Sequence, residues 1–280
     1  MSAVPRIQTE SLSHAYRPGI HAIQEISITL EPGSFTALIG QNGSGKTTLA
    51  KHFNALLRPT EGRVLFDGAD IQGRPIGEMA AQVGYVFQNP DHQIFNPTLR
   101  EELEAGPRNL GLSEADIQAR VEDTLERFQL APLADCQPAM LDFGLRRLVS
   151  VAGVYAMRTP VLILDEPTTG LDWRGIQSLM ELICDRHREG HTILIITHDM
   201  HVVTEYAPQT LVIHGGRVAW FDRTERVFQH RLELTRMGIR VPPMVELGQR
   251  MTPLGIPPGT LTVESFYRAW TSRLAPEDER

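Results

Sequence analysis

Between residues 40 and 48 the chain reads GQNGSGKTT, and far downstream an apolar run, VLIL, ends in the adjacent acids Asp165 and Glu166. The first stretch sets glycines at Gly40, Gly43 and Gly45, with Asn42 and Ser44 between them and Lys46, Thr47 and Thr48 following. This is the spacing G-x-x-x-x-G-K-[ST]. Its glycines let backbone N–H groups converge on phosphate oxygens, and the helix that follows adds its dipole. The Lys46 ammonium can reach the β- and γ-phosphates, and the Thr47 hydroxyl can ligate Mg2+. An acid at the carboxyl end of a buried strand is placed for the metal and its neighbour for a water, so Asp165 and Glu166 take those roles. A chance glycine-rich turn or a pair of turn-capping acids would explain either feature alone. Both together indicate Mg2+-dependent hydrolysis of a nucleoside triphosphate.

Such residues need a scaffold, and the patterning supplies one. RIQTESLSHAY, IQEISITL, FTALIG, GRVLFDG and QVGYVFQ read as strands, and residues 46–57, KTTLAKHFNALL, as a helix ended by Arg58-Pro59. Ser113, with Asp116 three residues on, resembles a capping box opening a helix through Ile117, Val121, Leu125 and Phe128. PVLILDEP is a short apolar strand of the kind buried in a parallel sheet. A helix through Ile176, Leu179, Met180 and Ile183 follows, then the strand TILIIT. Gly215-Gly216 closes a hairpin between TLVIH and RVAWF. This alternation predicts an α/β fold with a mostly parallel core sheet. Beyond Gln229 the chain is proline-rich, with two short helical segments and no strand signal. Val245, Leu247, Phe266, Tyr267 and Trp270 there need burial, which predicts a small subdomain over 230–280 whose last residues, APEDER, fray.

Composition narrows the class. The 280 residues carry 27 Lys+Arg against 34 Asp+Glu, a net charge of −7, which argues against a nucleic-acid partner. Cys136 and Cys184 stand apart with no ligand-like spacing and read as reduced packing thiols. The start, MSAVPRIQTE, lacks the apolar core of a signal peptide, and the runs VLIL and ILII are too short to span a bilayer. Any membrane role must come through a partner.

Over roughly the first 230 residues these motifs resemble the ATP-binding subunits of ABC transporters. The resemblance implies a P-loop ABC ATPase fold: a core sheet, an N-terminal antiparallel β subdomain, a helical signature subdomain over about 89–157, and the ATP-binding domain as a whole over 1–229. Tyr16 matches the aromatic that stacks on adenine, although it could be an ordinary strand aromatic. Gln88 in VFQNP matches the Q-loop glutamine, which touches Mg2+. Asp172 in TTGLD matches the D-loop, and His198 in IITHD the switch histidine on the γ-phosphate. FQNPDHQIFNPTLREELEAGPRNLGL and the C-terminal PPMVELGQRM and LTVESFYRAW are similar to energy-coupling-factor (ECF) transporter ATPases. Membership implies a second ATPase, a transmembrane coupling subunit, a membrane substrate-binding subunit and a peripheral position on the cytoplasmic face of the membrane. It also implies uptake of a vitamin or transition-metal ion, with the C-terminal subdomain aiding dimerisation.

The signature motif departs from that family. In MLDFGLRRL, residues Leu141, Phe143 and Gly144 fit an LSFGQ-like motif, but Asp142 stands where serine is expected and Leu145 where glutamine is expected. A carboxylate cannot donate to a γ-phosphate, and it repels one. Two unit charges about 4 Å apart interact by roughly 1 kcal/mol in water and about 4 at an effective dielectric near 20. A penalty of a few kcal/mol would slow hydrolysis by roughly a hundredfold or more. Asp142 remains a good N-cap, so the helix should survive. Arg146 and Arg147 could screen Asp142, but they read first as the solvated face of that helix. Because the signature acts in trans, the damage falls on the partner's nucleotide, which predicts a heterodimer with one good site. Two alternatives stay open: an ATP-binding regulatory or architectural subunit whose partner hydrolyses, and a soluble, non-transport ABC ATPase.

Overall fold

The computed structural model describes residues 4–274, so the expectation of a frayed APEDER lies outside the described residues. In chain order the strands are β1 (Ile7–Arg17), β2 (Ile20–Ile26), β3 (Thr29–Leu30), β4 (Phe35–Ile39), β5 (Glu61–Phe66) and β6 (Ala69–Asp70). They continue with β7 (Val83–Val86), β8 (Val161–Asp165), β9 (Thr192–Ile196), β10 (Gln209–His214) and β11 (Arg217–Arg223). The α-helices are α1 (Lys46–Phe53), α2 (Ile76–Ala80), α3 (Leu99–Asn109), α4 (Glu114–Arg127), α5 (Phe143–Met157) and α6 (Trp173–Arg188). After them come α7 (Met200–Tyr206), α8 (Thr224–Val227), α9 (Arg231–Arg236), α10 (Pro243–Arg250) and α11 (Val263–Leu274).

Two sheets form. The front sheet is antiparallel, in the order β2-β1-β5-β6 with β3 also on β1. The central sheet runs β11-β10-β4-β9-β8-β7, parallel except for the β10–β11 hairpin. Every residue of β4, β7, β8 and β9 is buried, as expected for parallel strands covered on both faces. The two-residue period of a strand divides the core. Phe35, Ala37, Ile39, Leu162, Leu164, Ile193 and Ile195 face the cluster shared with α3–α6. Leu38, Val161, Ile163, Leu194 and Ile196 face the cluster shared with α1 and the front sheet. Because β4, β7, β8 and β9 are parallel, their carboxyl ends share one edge, where ligand sites form in such sheets.

Several elements depart from the sequence-based expectation. IQEISITL splits into β2 and β3, with Glu25 at φ 51 near the break. The first helix stops at Phe53, short of residue 57, because Asn54 turns its side-chain oxygen to the Leu56 N–H and Ala55 takes a left-handed φ of 59. Ser113 caps α4 by accepting from the Asp116 N–H, but the Asp116 carboxylate returns to the Ser113 hydroxyl and not to its backbone. The complete capping box is Thr98 with Glu101, which starts α3. After residue 229 there are three helices, not two, and no strand among the described residues. Of the residues expected to be buried there, Val245 joins the main core with Leu234, Ile239 and Leu261. Leu247, Tyr267 and Trp270 are 39%, 66% and 38% exposed, and Phe266 is half-buried. Val263, Phe266, Tyr267 and Trp270 recur at helical spacing, so α11 carries an apolar stripe that the other described residues leave partly exposed.

Candidate active site

Four strand ends deliver the site. The loop after β4 turns into α1 through Gly45, whose φ of 105 suits glycine and whose Cβ, if present, would lie 2.5 Å from the Ala22 carbonyl oxygen. No side chain caps α1, and its first turn holds no acid, so the helix start is left to meet an anion. Lys46 is buried, and its ammonium donates to the carbonyls of Gly40 and Gln41, each at 2.9 Å. Burial lowers its pKa, while Glu166 and Asp165 act to raise it.

At the end of β8, Asp165 is 1% exposed, and its Oδ2 accepts from the Thr47 hydroxyl at 2.8 Å and from the Tyr85 hydroxyl at 3.2 Å. Burial pushes the Asp165 carboxyl above its ordinary range. Those two hydrogen bonds and the charges of Lys51 and Lys46 work the other way. Tyr85 is itself driven strongly upward by burial and then by Asp165, so it stays a neutral donor. Sequence reasoning missed this tyrosine. Its register on β7, where Tyr85 pairs with Ile163 beside the acid-bearing strand, is a tertiary fact.

Glu166 adopts a left-handed φ of 53, a conformation costing a non-glycine residue about 1–3 kcal/mol. Its Oε2 lies 2.8 Å from Nδ1 of His198, which stands beyond the end of β9 with its imidazole open to solvent. A cavity of about 520 Å3 brings together Tyr16, Asn42, Gly43, Gly45, Lys46, Thr47, Thr48, Gln88, Asp165 and Glu166. Tyr16, 60% exposed, stands at this cavity with its hydroxyl 3.2 Å from Thr48 Oγ1 and its ring edge-on to His14. Ser44 is buried in the loop and does not line the cavity.

The signature residues lie elsewhere, for none of residues 141–145 lines this cavity. Asp142 caps α5, its Oδ1 accepting the Leu145 N–H at 2.9 Å. Asp172 caps α6 in the same manner through the Gly175 N–H at 2.7 Å. The two motifs touch. The Phe143 ring packs on Gly170, and a Cβ on Gly144 would come within 2.8 Å of the Gly170 carbonyl oxygen. Leu141 and Leu145 pack against the main core. One expectation fails outright: Arg147 is not on a solvated face. It is wholly buried and donates to the carbonyls of Phe87 and Gln88. Helical periodicity puts it on the α5 face turned toward the Gln88 loop, a neighbour that only the tertiary fold reveals. Arg146 stays partly exposed and pairs with Asp91 at 3.2 Å.

A lysine and a hydroxyl at the start of α1, facing paired acids at the end of β8 on a parallel sheet, form the working end of a P-loop nucleoside triphosphatase. Comparison with known proteins places it further. The family model described as ABC transporter matches residues 23–169. The energy-coupling factor transporter ATP-binding protein EcfA2 of Symbiobacterium thermophilum is 42% identical over 275 residues, covering 95% of this chain and 96% of the relative. EcfA of Methanoculleus marisnigri is 40% identical, covering 89% of this chain and 91% of its own. Among solved structures, cbiO1 from Clostridium perfringens, described as part of the ABC transporter complex cbiONQ, superposes with a TM-score of 0.73. It has 35% identity and covers 90% of this chain and 100% of that one. The chain belongs to the ABC transporter family and, within it, to the ATP-binding proteins of energy-coupling factor transporters. It is an ABC-type ATPase.

Proposed function

We propose that this chain is one half of an asymmetric ATPase pair powering an ECF-type importer of a vitamin or a transition-metal ion. It would sit on the cytoplasmic face of the membrane, held there by a transmembrane coupling subunit and a membrane substrate-binding subunit. Tyr16 stacks on adenine, while Lys46 and the backbone of residues 40–48 hold the phosphates. Glu166 polarises the attacking water, and His198 holds the γ-phosphate and steadies Glu166.

The donor set suits Mg2+. Thr47 and Asp165 offer a hydroxyl and a carboxylate 2.8 Å apart, with Gln88 at the same cavity. No cluster of three or more His, Cys, Asp or Glu exists among the described residues to hold a metal without help from phosphate and water, which is the usual manner for this ion. Bound there, Mg2+ would neutralise charge developing on the β- and γ-oxygens.

The observation that carries the asymmetry is Asp142. Its carboxylate takes the first-turn Leu145 N–H that a phosphate would otherwise meet, and it adds a negative charge at that helix start. The partner's nucleotide would be the one to face it. The segment over 230–280 is read as a dimerisation subdomain, supported by the apolar stripe of α11 that the other described residues leave partly exposed. Purifying the tagged chain from membranes tests this reading. A second, different ATPase with a serine-bearing LSGGQ-like motif is expected to accompany it. Recovery of copies of this chain alone, with full transport-coupled turnover, would overturn it.

A further inference from the structure

Arg147 is a guanidinium that the proposed chemistry does not use, yet it is among the largest wholly buried side chains in the protein. Among the described residues no carboxylate lies within ion-pairing distance of it. Its partners are main-chain carbonyls on another element: Nη1 donates to Phe87 at 2.7 Å, and Nη2 donates to Gln88. The guanidinium also lies 5.6 Å from the centre of the Phe143 ring, in the first turn of its own helix. Burial disfavours its charge, while the fields of Asp165 and Glu166 favour it. Packing alone would not select such a group, since an apolar side chain of similar length fills space without the desolvation cost. What only arginine supplies is a rigid fork that engages two successive carbonyls at once.

Two further links join the same pieces of chain. The Gln93 side chain accepts from the Phe87 N–H at 3.1 Å and donates to the Ser150 carbonyl at 2.7 Å. Arg146 reaches Asp91 at 3.2 Å. Residues 87–93 are therefore fastened to α5 at residues 146, 147 and 150, and Gln88 enters the nucleotide cavity directly from the clamped backbone.

We infer that Arg147 is a positioning residue that fixes Gln88 in the nucleotide cavity from the helix that begins at Asp142. This rests on the reading of Gln88 as a nucleotide-site residue. The start of α5 and the Gln88 loop then move together, so any displacement of the signature end is felt in this chain's own site.

The test is a double-mutant cycle on the complete transporter complex, measuring ATP turnover against Mg2+ concentration and, separately, Mg2+-free ATP binding by the same complex. Losing hydrogen bonds from a buried charged donor is worth enough to expect Arg147→Met to lower turnover about tenfold or more. The Mg2+ needed for half-maximal rate should rise, while Mg2+-free ATP binding through Lys46 stays within about twofold. Arg147→Lys, which can keep one carbonyl bond, should recover part of the loss and serves if the methionine variant does not fold. Combining either change with Gln88→Ala should cost little beyond Gln88→Ala alone. Full additivity, or equal losses in Mg2+-free binding and turnover, overturns the positioning role. If Gln88→Ala by itself leaves turnover intact, the assignment of Gln88 fails instead, and the clamp has nothing to position.

Discussion

Two helix starts in this chain receive opposite treatment. At α1, the N-terminus follows a left-handed glycine, lacks any side-chain cap, and carries a buried lysine beside an acid pair. At α5, the N-terminus is sealed by Asp142, which accepts the Leu145 N–H. Both are stable ways to end a helix, since orphan N–H groups can be met by a ligand or by the chain itself. The difference lies in what is left for a phosphate. The α1 start offers donors, dipole and positive charge, whereas the α5 start has spent a donor on its own cap and added a negative charge. The same fold thus holds one helix start open to an anion and one that is self-satisfied, the latter at the motif proposed to face the partner's nucleotide.

The contrast can be broken most strongly at Glu166. Glu166→Gln keeps the shape of the side chain but removes its carboxylate. Turnover of the assembled complex is expected to fall about a hundredfold or more, with ATP binding preserved. Undiminished turnover would remove Glu166 from the mechanism. The reverse change is to convert the α5 start toward the α1 condition. Asp142→Ser with Leu145→Gln is expected to raise hydrolysis at the partner's site by roughly a hundredfold, because a repulsion of a few kcal/mol disappears and a donor returns. Serine also caps helices well, so the melting temperature should hardly move. A third comparison concerns the rim of the cavity. Tyr16→Ala is expected to weaken ATP binding about tenfold by removing base stacking, without changing the rate at saturation.

The smallest expected effect is one of stability. Burial raises the Asp165 pKa above its ordinary value. A carboxyl whose folded pKa is raised binds more protons in the folded state, so the nucleotide-free chain loses stability at this site as pH rises from the unfolded pKa through the folded one. Asp165→Asn removes that cost. It is expected to raise the melting temperature at neutral pH by a few degrees, on the order of 2–4 °C per kcal/mol, while losing Mg2+-dependent stabilisation by ATP. A lowered melting temperature in calorimetry would contradict the account of this carboxyl.

Much of the site is local in sequence and could be read there. The loop of residues 40–48 and the acid pair after VLIL are contiguous motifs flanked by unambiguous strands, and the fold brings them to one sheet edge as their spacing requires. The Asp142 cap was equally legible, because N-capping depends on residues three apart. Tyr85 and Arg147 were not, because each acts on a residue of another element. Tyr85 bonds Asp165 across two strands, and Arg147 reaches back some sixty residues to carbonyls that no pattern marks. The α3 cap at Thr98–Glu101 is local as well, carried by the letters TLRE. The exposure of the C-terminal apolar residues is not legible for a different reason. Periodicity shows that a helix has an apolar face, but not whether its own chain covers that face.

The most direct measurement compares matched glutamate-to-glutamine changes in the two ATPases of the membrane-purified complex. If Asp142 damages only the partner's nucleotide site, Glu166→Gln in this chain should remove nearly all turnover, and the corresponding change in the partner should leave most of it. Equal losses from the two changes would contradict the asymmetry.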